Sequence, residues 1–532
     1  MVTAAPSPPN SRGAISGGRF PYTPHINPGT VPYHCSVLID QGVSMSDLSR
    51  RQFGRGALGA IGLRVVTAAV PAGAGSLLLA GPASAAATDV VAIDFTGLVK
   101  PTDTITNSVA TVLRNSNQFA VTTWWNTTKN FDAQTGAYLD FGGNGENNIR
   151  PGAAQAFGLA TALSLGVYSA TQTGVTQAVA ESMTTKLIRS LAYRHKANLA
   201  GGWGDAGQSA HWAAFAGTAG WLLWAKLSTT DREYVRKMVE YEANRFNTWQ
   251  PDYYRRVDGT YIWPGDTQSE TIAWNNSLIA LAASMMPNHP NKATWMKQVV
   301  ALSLKANSRP SDVGTGADAG KTVNGFKLGS MTGSNVNQDC TVVNHNIVHP
   351  DYMESFAINL SGALTLALSK QDTPYAVRRS YDRMYAALVD LNLPAGTMPY
   401  TDPNMAGKTF RAPGGKIYAG TNTNPTDNSD IYYPMGNDWG TSRRMQFATM
   451  DVFADSFKED AFASVKGSTW AVPHLTKVQK MQERSTDRRT YIGASEDYYP
   501  GREEWVSHHA AWAYLARVVA ASGRYKITQA AY

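Results

Sequence analysis

The sequence predicts an all-α fold, an (α/α)6 toroid of about twelve antiparallel helices with long loops at one end, and three observations lead there. Beyond residue 100 apolar residues recur at spacings of three and four, with no sustained alternation of strand type. The connections between these segments alternate between short and long. The chain of 532 residues is 43% hydrophobic and only 16% charged, too little charge for a coiled coil or a disordered polymer.

Residues 1–44, rich in Pro, Gly and Ser and without periodicity, are expected to be a disordered or non-native extension outside the fold. Residues 45–87 read as an export signal. Ser49-Arg50-Arg51-Gln52-Phe53-Gly54-Arg55 precedes a weakly apolar stretch ending in Leu77-Leu78-Leu79, and Ala83-Ser84-Ala85 makes a small-residue cleavage site. This resembles a bacterial twin-arginine leader and implies a secreted protein. Arg64 and several Gly and Pro interrupt the apolar run below the length a bilayer requires, so no membrane anchor is expected after cleavage.

Residues 1–87 hold six arginines against two aspartates, so they carry +4 of the total +7 and leave +3 on residues 88–532. With no Lys/Arg stripe interleaved with aromatics, nucleic acid is not an expected partner. Cys35 lies in the leader region and leaves Cys340 alone, so no internal disulfide is expected and stability rests on a large core.

The periodicity predicts helices over 106–120, 151–168, 174–198, 208–226, 230–247, 267–286, 291–307, 351–370, 373–392, 440–458, 472–484 and 503–522. Links at 169–173, 227–229, 287–290 and 371–372 are short, which forces antiparallel neighbours. Links at 121–150, 199–207, 248–266, 308–350, 393–439 and 485–502 are long, and in an up-down array they emerge at one end, where function concentrates. An open helical array is the alternative arrangement.

The long links pair aromatics with acids or Arg. They contain Trp124-Trp125, Trp203 with Asp205, Tyr254 with Arg256, Trp263 with Asp266, Tyr433 with Asp438 and Trp439, and Glu496-Asp497-Tyr498-Tyr499-Pro500-Gly501-Arg502. Loop tryptophan exposes a large apolar face, and a sugar ring stacked on it, with Asp, Asn and Arg on the hydroxyls, supplies a reason for it. The alternative is that these aromatics fold back as caps over the core. Trp212, Trp221, Trp224, Trp274, Trp295 and Trp512 fall within helices and are expected in the core.

The segment Asp339-Cys340-Thr341-Val342-Val343-Asn344-His345-Asn346-Ile347-Val348-His349-Pro350-Asp351-Tyr352-Met353-Glu354 is the densest in titratable groups. Its run from Asp339 to His345 resembles the Asp-Gly-Ser-Phe-x-x-His segment of the (α/α)-toroid polysaccharide lyases that act on hyaluronate, chondroitin and xanthan. In that family a catalytic Tyr and then a Ser-Arg follow the His, and an Asn precedes it. Tyr352, Thr441-Ser442-Arg443-Arg444 and Asn275-Asn276 stand in the same chain order here. Cys340 stands where the family has Gly, the His-to-Tyr spacing is shorter, and no strand-rich C-terminal half follows. The resemblance implies a toroid-only lyase.

Elimination across C4–C5 of a uronate removes a poorly acidic carbon-bound proton, feasible only when the adjacent carboxylate is neutralised. Asn344 or Asn276 with Arg443 suits that task, while His345 and Tyr352, with His349 beside them, suit the base and acid. No metal and no cofactor are expected, and the partner is a polysaccharide or oligosaccharide, possibly acidic. The sequence is silent on oligomeric state.

Three other readings compete. An inverting glycoside hydrolase needs two carboxylates roughly 6.5–9.5 Å apart, and Asp266, Glu270, Asp351, Glu354 and Asp438 are candidates, although Asp266 or Thr267 and Glu270 also suit a helix cap. His345, His349 and Asp351 could ligate a metal, but Pro350 places the histidines ahead of the helix. A secreted glycan-binding protein would use the same aromatics without needing the His/Tyr cluster.

Overall fold

The computed structural model describes residues 89–532 apart from 401, 438–442, 494–495 and 497–501, all within the unit Ala72–Tyr532. The leader, Cys35, Asp438, Trp439, Thr441, Ser442 and most of the segment 494–501 lie outside the described residues. The fold is mostly helical, as expected. In chain order its helices are α1 (Thr104–Phe119), α2 (Glu146–Ser164), α3 (Ala170–Thr173), α4 (Gln177–Tyr193), α5 (Ser209–Leu222), α6 (Thr229–Asn244) and α7 (Ser269–Met285). They continue as α8 (Lys292–Ala306), α9 (Ser355–Leu368), α10 (Tyr375–Arg378), α11 (Tyr381–Asp390), α12 (Arg444–Phe457), α13 (Gly467–Glu483) and α14 (Glu503–Ala521). Strands among the described residues are only two to four residues long and form two-stranded pairs within the connections, except that Ile527–Thr528, beyond the last helix, pairs with Thr373–Pro374. No described helix is long and apolar enough to cross a membrane.

Local chemistry sets several boundaries. Asp103 caps α1 by accepting the Thr106 N–H at 3.1 Å, and Thr176 and Ser228 cap α4 and α6 in the same way. Three expectations are corrected. The helix expected from 151 begins at Glu146, with Pro151 inside it, so Glu146 and Arg150 ride on α2. The helix expected over 373–392 breaks into α10 and α11 at Arg379–Ser380, where Ser380 takes φ +68°. The link expected from 121 instead continues α1 as a π-helical stretch, Ala120–Thr128, which carries Trp124 and Trp125.

Burial sorts the long helices into two layers. Every residue of α5 and α9 is buried, and α2, α7, α12 and α14 come close to it, whereas α6 buries a single stripe of Val235, Met238, Val239, Glu242 and Ala243. A helix apolar all round belongs inside, and one with a stripe belongs at the surface. The buried helices pack in succession, α2 on α5, α5 on α7, α7 on α9, α9 on α12 and α14, α12 on α14, and α14 back on α2. Gly158 lets α2 approach α14 closely, since a Cβ there would stand 2.1 Å from Ser507 Oγ.

Each long connection ends at the N-terminus of one of these six buried helices. That regularity gathers the chemistry in one place.

Candidate active site

The first turns of the six buried helices bring their polar side chains together. Arg150 of α2 reaches Glu504 of α14 with Nε 3.2 Å from Oε1, and also pairs with Glu146 in its own first turn. Gln208, at the start of α5, donates to Glu146 at 3.4 Å. Glu354, at the start of α9, accepts from His509 of α14 at 2.5 Å. Arg443, at the start of α12, stands 3.6 Å from Asp351, whose other oxygen accepts the Tyr433 hydroxyl at 2.8 Å. Glu270, in the first turn of α7, senses Glu354, Asp266, Glu146 and Arg443 electrostatically. Each helix N-terminus also carries about half a positive charge, which partly offsets the carboxylates gathered there.

One wall is a β-hairpin. Val343–Asn344 pairs with Ile347–Val348 across a two-residue turn in which His345 and Asn346 take φ +51° and +69°. Positive φ at both central residues is the I′ turn that matches strand twist, and it costs a residue without glycine's freedom about 1–3 kcal/mol. The neighbouring loop holds the hairpin. Asn346 N–H donates to Gly265 O and Thr267 N–H to Val343 O, both at 2.9 Å. Gly265 has φ +73°, and a Cβ on it would meet Asn346 Oδ1 at 2.0 Å, so only glycine fits. Trp263, Pro264, Gly265, Asp266, Asn344, His345 and Asn346 line one side of a cleft of about 530 Å³, with Asp402, Pro403 and Asn404 on the other.

Behind the hairpin tip the His345, His349 and Tyr352 rings meet edge to face at centroid distances of 5.1–5.7 Å. The Tyr352 hydroxyl lies 3.3 Å from His345 Nε2. Burial first, and then the Glu270 charge, holds the Tyr352 phenol far above its ordinary range, so it keeps its proton. Glu270 is itself pushed well up, by the surrounding protein and then by Glu354, Asp266 and Glu146. Asp266 opens onto the cleft, yet the protein mass around it raises its pKa, against the pull of His345. A protonated phenol beside an imidazole, near carboxyls biased toward the neutral form, is an arrangement for moving protons.

The structure brings some predicted residues to the cleft and sends others elsewhere. His345, Asn344, Asp266 and Trp263 line it, with Asn344 Oδ1 accepting the His345 N–H at 2.8 Å, while His349 and Tyr352 pack behind His345, and Glu270 and Arg443 act on Tyr352 electrostatically. Asn276 does not face the cleft. Its amide donates to Ser303 Oγ and Asn359 Oδ1 at 2.9 and 3.0 Å, joining α7 to α8 and α9.

Most of the loop aromatics expected to stack on sugars are core. Trp124 and Trp125 pack edge-on against Phe131, and Trp203 is 1% exposed with its indole N–H on Leu191 O. Tyr254 and Tyr433 are buried, while Trp263 is 38% exposed. Asp205 pairs with Lys196 and Arg245 at the surface, and Arg256 is exposed on a short strand.

Other members of the site carried no local motif. Trp505 lies under the guanidiniums of Arg443 and Arg502, at 4.3 and 4.2 Å, with Arg150 at 5.2 Å. His211 and His508 are fully enclosed, and burial lowers the first to about 3 and the second well below the usual imidazole range. The adjacent pair His508-His509 in an apolar helix was the available signal. Among the described residues the trio with ligand atoms close enough to hold an ion is Glu354, His508 and His509, and the disfavoured set His345, His349 and Asp351 does not form such a group.

Cys340 has φ +68° and a buried thiol pushed up to about 12. No protein-family model matches the chain, and neither a curated protein nor a solved structure matches it.

Proposed function

We propose that this chain is a secreted polysaccharide lyase on an (α/α)6 toroid, exported by the twin-arginine route, that cleaves a uronate-containing glycan by β-elimination. The observation that carries the reading is the Tyr352 hydroxyl 3.3 Å from His345 Nε2 at the wall of an open cleft. His345 takes the C5 proton as base. Tyr352, held protonated by burial and by Glu270, protonates the departing C4 oxygen. Asn344, whose Oδ1 accepts the His345 N–H, and Arg443, 3.6 Å from Asp351, are the groups that neutralise the uronate carboxylate in this reading.

The toroid is supported by the packing succession from α2 round to α14 and by the alternation of buried and striped helices. The lyase resemblance gains support from Cys340, which adopts at the family's Gly position a backbone conformation glycine favours.

A hydrolase is the second reading, favoured by Asp266 and Glu270, two carboxyls with raised pKa at one cleft. The deciding experiment incubates the protein with uronate-containing and neutral polysaccharides and follows both the ultraviolet absorbance of the C4–C5 double bond and new reducing ends. Absorbance that vanishes in His345→Ala and Tyr352→Phe establishes elimination. New reducing ends without absorbance overturn it and assign the chemistry to Asp266 and Glu270.

A further inference from the structure

Below the cleft, Glu354 stands at the start of α9 opposite two consecutive histidines of α14, and one ligand atom from each of Glu354, His508 and His509 lies within 4.8 Å of the others. Each group is oriented by its surroundings. His508 Nδ1 lies 3.0 Å from the Glu504 carbonyl, one helical turn back, so Nδ1 carries the proton and Nε2 keeps its lone pair. Its ring stacks on Phe215 at 4.6 Å and meets Trp512 edge-on at 5.0 Å. His509 presents Nε2 to Glu354 Oε1 at 2.5 Å and meets Trp512 edge-on. The Glu354 side chain is 16% exposed, which leaves a route for solvent.

The geometry points to a three-ligand site for a divalent transition-metal ion of the zinc class, formed by Glu354, His508 and His509, with solvent supplying the remaining position. Two imidazoles and a carboxylate are a donor set that zinc takes at about 2.0–2.2 Å. At such bond lengths tetrahedral donors lie about 3.4 Å apart, so rotations of the side chains close the trio around an ion without moving a helix. The ion replaces the direct His509–Glu354 hydrogen bond, and the imidazole proton moves to Nδ1 so that Nε2 presents its lone pair. A cation here also offsets the Glu354 charge that, after burial, pushes the Glu270 carboxyl up.

The inference is independent of the elimination reading. Its ligands are neither His345 nor Tyr352, and binding is measured without substrate.

The test uses the full chain, stripped with a chelator and titrated with Zn2+ by calorimetry in two buffers of different ionisation enthalpy, and with Co2+ by visible absorption. One ion per chain and a ligand-field band of low coordination number are expected. Affinity should fall by about 100-fold or more in Glu354→Gln and His508→Gln, and stay unchanged in His345→Ala. Thermal melting of each variant separates loss of binding from loss of folding, and the wild-type titration stands without any variant. Absence of saturable Zn2+ and Co2+ binding by the wild type overturns the site. So does binding that His345→Ala removes and Glu354→Gln leaves intact.

Discussion

The Tyr352 hydroxyl lies 3.3 Å from His345 Nε2, joining a side chain on the turn that leads into α9 to one on the tip of a hairpin. In the proposed elimination their roles follow from their supports. Tyr352 is enclosed and keeps its proton, while His345 stands at the cleft wall. Tyr352→Phe is expected to lower kcat by about 100-fold or more with KM little changed, because a proton donor acts in the transition state and not in binding. Steady-state kinetics on the best uronate glycan checks this.

The hairpin predicts a separation of stability from activity. His345 sits at φ +51°, so His345→Gly should be more stable than His345→Ala by about 1 kcal/mol, with both inactive. Gly265→Ala acts from the far side by driving a methyl into Asn346, and should displace the histidine and cost activity while every catalytic side chain remains. Thermal melts and turnover on the three variants test both statements.

Acid and base affect stability through Glu503. Burial raises its carboxyl from 4.5 to about 7, against the hydrogen bond from Tyr491 N–H at 2.7 Å. The native state then holds a proton that the unfolded chain has released, so stability falls as pH rises through the window from 4.5 to about 7. Glu503→Gln removes up to about 3 kcal/mol of that decline. Denaturant midpoints across this range should be flatter for the variant.

Two tryptophans expected to behave alike should differ. Trp203→Ala empties a core position and is predicted to cost about 3–5 kcal/mol. Trp263→Ala, at the exposed rim of the cleft, should stay within about 0.5 kcal/mol of the parent and raise KM. Equal stability losses for the two would remove Trp263 from the substrate's path.

The helices were legible because their burial is written at spacings of three and four, and the hairpin histidine because titratable residues crowd one segment. The errors have physical causes. Pro151 reads as a helix start, yet α2 runs upstream through it, and Arg150 was missed as a partner of Glu504. Trp124, Trp125 and Trp203 lie in connections, but those connections fold onto the core, where a large aromatic is most stabilising. His508 and His509 lie in a largely apolar helix, and only tertiary packing sets Glu354 against them. Periodicity reports which face is buried and says nothing of what lies across from it.

The floor of the cleft also fixes when the protein becomes competent during synthesis. Arg150 and Glu504 are partners across 354 residues, and α14, which supplies Glu504, Trp505, His508 and His509, leaves the ribosome after every other long helix. Contacts of such sequence separation form late, because the intervening chain must be ordered before they repay its loss of freedom. A nascent chain halted ahead of α14 carries the hairpin, its histidine and the carboxylates of Glu146, Glu270 and Glu354, but Arg150 lacks its Glu504 partner and Glu354 lacks His509.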